Sequence, residues 1–279
     1  MIKSVPPWLE WLQGRLNFKG WTEYPQFSTS EGIGRVALIG FTLGIIFGVH
    51  LLLLIPLFLC QWDIYPIPPF NTMDPTTVQM LTQWVAYVLA LTFFHLAEFF
   101  VTAVYNPSVT TADSFMVNQS EAYTLSALSS WIEFWVRFLF LPSTNNTKVA
   151  FIGLLILILG QACRTLAMKT CGESFNHLIQ QNKKNNHILV TEGIYKYFRH
   201  PSYVGFFYWS IATQLLLCNP ICTVLYTAAS WWFFSRRIPY EESTLTQHFP
   251  NDYPEYMSKS WIGIPFIRSG GVDTKNKEN

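Results

Sequence analysis

The sequence predicts an all-α fold, a polytopic integral membrane helical bundle, on three observations. Half of its 279 residues are hydrophobic and only 13% are charged, where soluble domains carry about 25% charge. The apolar residues gather into runs that meet the roughly 20 residues needed to cross a bilayer. Acid and base nearly cancel, 17 Asp+Glu against 18 Lys+Arg, which leaves no global field for nucleic acid and makes every charge argument a local one.

Taken in order, residues 1–30 carry Lys3, Glu10, Arg15 and Lys19 among Pro6-Pro7 and several tryptophans. They lack the apolar core and small-residue cleavage site of a signal peptide. Trp8, Leu9, Leu12 and Leu16 suit one face of a short interfacial helix. The stretches 36–60, 81–105, 122–141 and 149–168 each have the length and apolarity of a span. Two shorter runs, 203–218 and 221–234, are separated by Asn219-Pro220 and predict a tight helical hairpin whose proline starts the second arm. That makes six spans.

Lys3, Arg15, Lys19 and Arg35 precede the first span, whereas the 61–80 loop holds Asp63 and Asp74 and no base. The positive-inside rule therefore puts the N-terminus in the cytosol. Alternation then returns 169–202, with Lys169, Lys183, Lys184, Lys196 and Arg199, and the segment from Arg236-Arg237 onward to the same side. The closing VDTKNKEN reads as a disordered tail. Five cysteines, an odd number in apolar surroundings and without a CxxC or zinc-type spacing, read as buried thiols.

Ionisable side chains at membrane depth require partners. His95 and Glu98 are three apart and Glu133 and Arg137 four apart, so each pair shares a helix face, and mutual neutralisation within the bundle is the expectation, ahead of a substrate role. An HxxE pair also serves in some metal sites, but without a second such pair no metal is expected.

The chemistry concentrates after residue 180. A polar loop passes into a short extended run, Ile188, Leu189 and Val190, stopped by Thr191-Glu192-Gly193. Pro201 disfavours helix at His200 and suits the first helical position, so a helix should begin near His200-Pro201-Ser202-Tyr203. Unpaired N–H groups and the positive dipole end there form an anion site, flanked by an imidazole, a hydroxyl and a phenol; the same residues also read as a cap with an interfacial tyrosine. The second motif, Arg236-Arg237-Ile238-Pro239-Tyr240-Glu241-Glu242, sets Arg237 and Glu241 four apart with a proline between them that implies a kink or a fresh helix start. Alone it reads as a juxtamembrane ion pair. Together the two motifs point to a zwitterionic cofactor at the cytosolic mouth of the bundle.

HILVTEGIYKYFRHPSYVGFFYWS, the NPIC turn, RxxxEE and LTQHFPNDYPEYMSKSWIGIPFI together resemble the isoprenylcysteine carboxyl methyltransferases over roughly residues 150–268. TFFHLAEFFVTAVYNP at 92–107 and LSSWIEFW at 128–135 resemble the eukaryotic members. The resemblance implies an endoplasmic reticulum membrane enzyme, and the charge bias above puts both termini and the active site in the cytosol. It would transfer methyl from S-adenosylmethionine to the C-terminal carboxylate of a farnesylated or geranylgeranylated cysteine of CaaX-processed proteins, such as small GTPases and lamins. By motif, Gln180, His187, Ile188, Leu189, Val190 and Tyr195 would bind the cofactor, as would His200, Pro201, Ser202, Tyr203 and Glu241, while Arg237 would hold the substrate carboxylate. It implies eight spans, the extra two falling within the first eighty residues, where 34–60 is divided or the Trp-rich start enters the bilayer. It divides the chain into N-terminal spans (1–148), a catalytic membrane region (149–268) and the tail (269–279). In the family pattern more acidic residues stand where this chain has Pro239-Tyr240. Phospholipid N-methyltransferases and NADPH-dependent sterol reductases share the HPxY and Glu-Glu features and are the alternatives; a transporter or lipid-binding scaffold ranks last.

Overall fold

The structure, a computed structural model, describes residues 24–117, 120–179 and 188–269. Among these residues it contains eight α-helices, α1 (Pro25–Ser28), α2 (Ile33–Gln61), α3 (Pro75–Tyr105), α4 (Glu121–Phe140), α5 (Thr147–Cys171), α6 (Pro201–Leu216), α7 (Pro220–His248) and α8 (Asp252–Lys259), joined by short 3-10 turns. Among the described residues no strand forms, and the one β-like contact is an isolated parallel bridge between Phe198 and Trp261. Each of the six expected spans falls on one helix. Three helical stretches, Ile33–Gln61, Pro75–Tyr105 and Thr147–Ser174, are long and apolar enough to cross a membrane. α2 is unbroken through Pro56, so 34–60 is not divided. The proposed interfacial helix and Trp-rich entry fall before residue 24, and most of the expected tail falls after residue 269, outside the described residues.

The helix starts follow from local chemistry. Asp74 accepts the Thr77 N–H at 2.9 Å with Pro75 in the first turn of α3. Ser120 accepts from Tyr123 at the start of α4, and Asn146 from Lys148 and Val149 at the start of α5. These side chains satisfy backbone donors that helix geometry leaves orphaned.

The expected hairpin is present, with Pro220 opening α7. The neutralisation of Glu133 by Arg137 is not. Glu133 instead caps the hairpin's second arm, accepting from the Ile221 and Cys222 N–H groups at 2.8 and 2.7 Å. A carboxylate there complements the helix dipole. Arg137 donates to the Leu217 carbonyl and to Thr144. Buried Asn219 donates to Ser130 O at 2.9 Å and to Gln214 Oε1 at 3.1 Å. α4 is thereby bolted to the hairpin turn, because orphan carbonyls and helix-start donors at membrane depth outcompete a pair on one helix face.

α5 and α6 approach backbone to backbone. A Cβ on Gly205 would lie 2.6 Å from Arg164 N, and one on Gly160 2.9 Å from Gly205 O. Small residues let helix backbones meet in this way. Beside this seam Phe94 of α3 stacks on Trp209 of α6 with centroids 4.4 Å apart, and Trp84 stacks on Phe134 of α4 at 5.1 Å. Cys218 and Cys222 are buried as expected, while Cys60, Cys163 and Cys171 are only half-buried; all five are free thiols.

Gly205→Leu should force α5 and α6 apart. Overpacking costs about 1–3 kcal/mol, and the expected outcome is a lower thermal unfolding midpoint in detergent.

Candidate functional site

The start of α6 is where the sequence places it. His200 is the N-cap and Pro201 the first helical residue. The approach to it is held by backbone bonds to the C-terminal segment, Arg199 N–H to Trp261 O and Trp261 N–H to Tyr197 O, each 2.9 Å. Residues 188–190 form no regular structure, and the turn that follows them tightens into 3-10 geometry over Gly193–Lys196.

These pieces enclose a cleft of about 870 Å³ including its open mouth. Ile188, Leu189, Val190 and Tyr195 line one part of it, and His200, Pro201, Ser202, Tyr203 and Glu241 another. Nine residues singled out in the sequence thus share one cavity. Gln180 and His187 lie outside the described residues.

Arg237 is not among the lining residues; it connects to the cleft through one phenol. Arg237 Nε donates to Tyr203 Oη at 2.8 Å, and the Tyr203 hydroxyl donates to Glu241 Oε2 at 2.5 Å. No fresh helix starts at Pro239, since α7 runs as one helix from Pro220 to His248. Arg237 and Glu241 therefore stand one turn apart on one face, where one tyrosine reaches both. Arg237 Nη2 donates to the His177 carbonyl at 2.6 Å, so its Nε and Nη2 edge is spent on protein.

The two adjacent glutamates have different environments. Glu241 keeps 25% of its side chain exposed to the cleft, and its Oε2 is 4.0 Å from His200 Nδ1. Glu242 is fully buried. It accepts from Arg199 Nε at 2.7 Å, from His200 Nε2 at 3.2 Å and from Ser269 Oγ at 2.6 Å, and Arg199 also donates to the Ser260 carbonyl. Glu242 and Arg199 thus hold the helix start, α7 and the C-terminal segment together, and fix the His200 ring, which lies parallel to Tyr203 with centroids 5.5 Å apart.

A second buried network reaches the site from α3. Glu98, 1% exposed, takes two bonds from Arg164, Nε to Oε1 at 2.5 Å and Nη2 to Oε2 at 2.7 Å, and a third from His177 Nε2 at 2.9 Å. Arg164 Nη1 continues to Ser202 Oγ at 2.9 Å. Glu98 is thus neutralised within the bundle, but by Arg164 and not by His95 on its own helix face. His95 Nδ1 bonds the Phe115 carbonyl at 2.8 Å and its Nε2 lies 3.3 Å from the Tyr123 hydroxyl. An arginine on the neighbouring helix offers Glu98 a fork that a histidine one turn away on the same helix does not.

Sequence reasoning missed several lining residues. Thr244, Leu245 and His248 continue the face of Glu241 at i+3, i+4 and i+7, a signal that was available. Tyr253 and Tyr256 close the cleft from α8, packed with Phe249, Leu189, Tyr195 and Leu245. Phe175, Asn176 and Leu178 enter from a loop after α5, where no periodicity exists to mark them. The Tyr256 hydroxyl donates to Tyr195 O at 2.6 Å, and burial pushes the Tyr195 phenol well above its ordinary value, so it stays a neutral donor. The Tyr253 hydroxyl is buried with no hydrogen-bond partner among the described residues, although such groups are normally paired.

A profile of the isoprenylcysteine carboxyl methyltransferase (ICMT) family matches residues 152–247. Relatives named protein-S-isoprenylcysteine O-methyltransferase include one from Xenopus laevis, 51% identical over 65% of this chain and 64% of its own length. The Homo sapiens relative is 47% identical over 67% of this chain and 66% of its own length, and the Saccharomyces cerevisiae one 34% identical over 88% and 96%. The chain thus spans just under two thirds of the frog and human proteins and nearly all of the yeast one. A solved structure of a eukaryotic intramembrane Ras methyltransferase, ICMT, superposes with a TM-score of 0.69 at 33% identity, covering 85% of this chain and 99% of that one.

Arg199→Met would leave the buried Glu242 carboxylate without its guanidinium. Breaking a buried pair costs about 3–5 kcal/mol, so thermal unfolding should show a large destabilisation.

Proposed function

Because the chain belongs to the isoprenylcysteine carboxyl methyltransferase family, we propose that it methylates the C-terminal carboxylate of a farnesylated or geranylgeranylated cysteine in CaaX-processed proteins, small GTPases and lamins among them. In this reading it works in the endoplasmic reticulum membrane with its cleft toward the cytosol, and residues 149–268 are its catalytic region. The observation that carries the reading is the set Arg237–Tyr203–Glu241 at the edge of a cleft that begins at a helix N-terminus.

The lining fits S-adenosylmethionine, which has a carboxylate, an ammonium and an adenosine to be held. The start of α6 at Ser202 suits the carboxylate, and the partly exposed Glu241 suits the ammonium. Ile188, Leu189, Val190 and Tyr195 offer apolar and aromatic surface for the adenosine. When bound, S-adenosylmethionine supplies an electrophilic methyl group.

The protein's part is positioning and desolvation. A terminal carboxyl has a pKa of about 3.5, so the acceptor is already an anion at neutral pH and the chain needs no general base. Arg237 would hold that anion. With Nε on Tyr203 and Nη2 on the His177 carbonyl, the side-on edge is taken and the Nη1 end is left to meet the acceptor, where a contact orients a carboxylate without the damping of a full side-on fork. Burial of a prenyl chain among apolar spans gains about 0.8 kcal/mol per CH₂, which gives a physical reason for building such a site inside a bilayer.

The test uses purified protein with radiolabelled S-adenosylmethionine and three acceptors: N-acetyl-farnesylcysteine, its methyl ester and phosphatidylethanolamine. Base-labile label in the free acid alone is the expected outcome. Label in the lipid amine would move the assignment to phospholipid methylation, and no label in any acceptor would overturn methyl transfer. Arg237→Ala should lower kcat/KM by about 10²–10³ with S-adenosylmethionine affinity near normal by calorimetry. Glu241→Ala should do the reverse, weakening that affinity by about tenfold or more, as expected for a lost charge-assisted bond.

A further inference from the structure

His177 makes two contacts in opposite directions. Its imidazole Nε2 donates to Glu98 Oε2 at 2.9 Å, and its backbone carbonyl accepts from Arg237 Nη2 at 2.6 Å. The side chain is 19% exposed while Glu98 is 1% exposed, so the imidazole reaches down from the loop to a carboxylate fixed in the bundle. The same loop is strapped to α3 a second time. Asn106, which closes that helix, donates through Nδ2 to Glu173 O at 3.1 Å and Phe175 O at 2.8 Å. Glu98 is held rigidly by the Arg164 fork, and Arg164 bonds Ser202 at the start of α6. One carboxylate on α3 therefore references both the carbonyl that grips Arg237 and the helix that carries Tyr203, the other group gripping it.

We propose that His177 is a positioning residue for Arg237: its imidazole, tied to Glu98, fixes the loop carbonyl that aims the guanidinium at the acceptor carboxylate. The loop has no regular structure to fix that carbonyl, and an arginine left with one hydrogen bond to Tyr203 and the face of the Phe233 ring retains freedom about its long side chain. Displacement by about 1 Å at a reacting centre costs on the order of 10²-fold in rate. The inference rests on the methyl-transfer reading above, and it assigns a role in the site to α3, which lies outside the stretch 152–247 matched by the family profile.

The experiment compares wild type, His177→Phe, which keeps a ring and loses the donor, and His177→Gln, whose amide places a donor where Nε2 was. Kinetics are read with N-acetyl-farnesylcysteine, cofactor affinity by calorimetry, and equilibrium binding as the ratio of free acid to methyl ester. His177→Phe is expected to lower kcat/KM by about 10- to 100-fold and to erase the preference for the free acid, with cofactor affinity within about twofold. His177→Gln is expected to restore most of both. In an Arg237→Ala background His177→Phe should change the acid-to-ester ratio no further, as coupled residues do. Unchanged kinetics in His177→Phe, failure of His177→Gln to recover them, or full additivity with Arg237→Ala would each overturn the proposal. Should His177→Phe not fold, His177→Ala is read by the same three criteria. A wild-type protein that binds the free acid selectively yet transfers no label would sink the activity and leave the positioning role to be decided by the binding ratios alone.

Discussion

The structure depends on the Glu98 carboxylate. At 1% exposure, an unpaired carboxylate would carry a desolvation cost of several kcal/mol, and the bundle avoids it only by converging three elements on one point. α5 supplies Arg164, the loop after α5 supplies His177, and through Arg164 the start of α6 is drawn in. The close α5–α6 seam at Gly160 and Gly205 follows the same requirement, since Arg164 reaches Ser202 only if the two backbones nearly touch. Stability and site geometry are thus one constraint. Loosening the seam would expose a charge and misplace the helix that opens the cleft.

A second ion pair repeats the device at the other side of the site. Glu242 ties Arg199, His200 and Ser269 together, while its neighbour Glu241 remains partly open to the cleft. Adjacent residues on a helix point about 100° apart, so a Glu-Glu doublet at the edge of a bundle places one carboxylate inside the protein and the other toward a cavity. One of them holds the frame and the other is available to a ligand. The tyrosine between Arg237 and Glu241 similarly keeps a cation and an anion near each other without letting them collapse into a direct pair, so each retains capacity for a charged partner.

The hairpin arms carry these groups because their turn is locked. Glu133 satisfies the first donors of α7, Arg137 takes up the Leu217 carbonyl, and Asn219 donates back to the Ser130 carbonyl of α4. In lipid no water substitutes for these bonds. Conserving the turn geometry sets the relative height of α6 and α7, and with it the distance from Tyr203 to Arg237 and Glu241.

Much of this was legible in the residues alone. Apolar run lengths determined the helices, His200-Pro201 determined where α6 begins, Asn219-Pro220 determined the hairpin, and the segments 188–203 and 237–241 held ten of the 21 residues that line the cleft, because these signals are local: period, proline geometry and capping. Pairing was not legible. The sequence suggested His95 with Glu98 and Glu133 with Arg137 since neighbours on a helix are all that spacing reveals, yet Glu98 found Arg164, 66 residues away, and Glu133 found a helix start 88 residues away. The continuity of α7 through Pro239, the entry of Phe175, Asn176 and Leu178 from an aperiodic loop, and the closure by Tyr253 and Tyr256 likewise depended on packing. Composition and period determine which segments enter the bilayer. Only the tertiary structure decides which buried charge meets which, because that choice is made by desolvation and hydrogen-bond geometry across helices, and neither is written in the spacing along one chain.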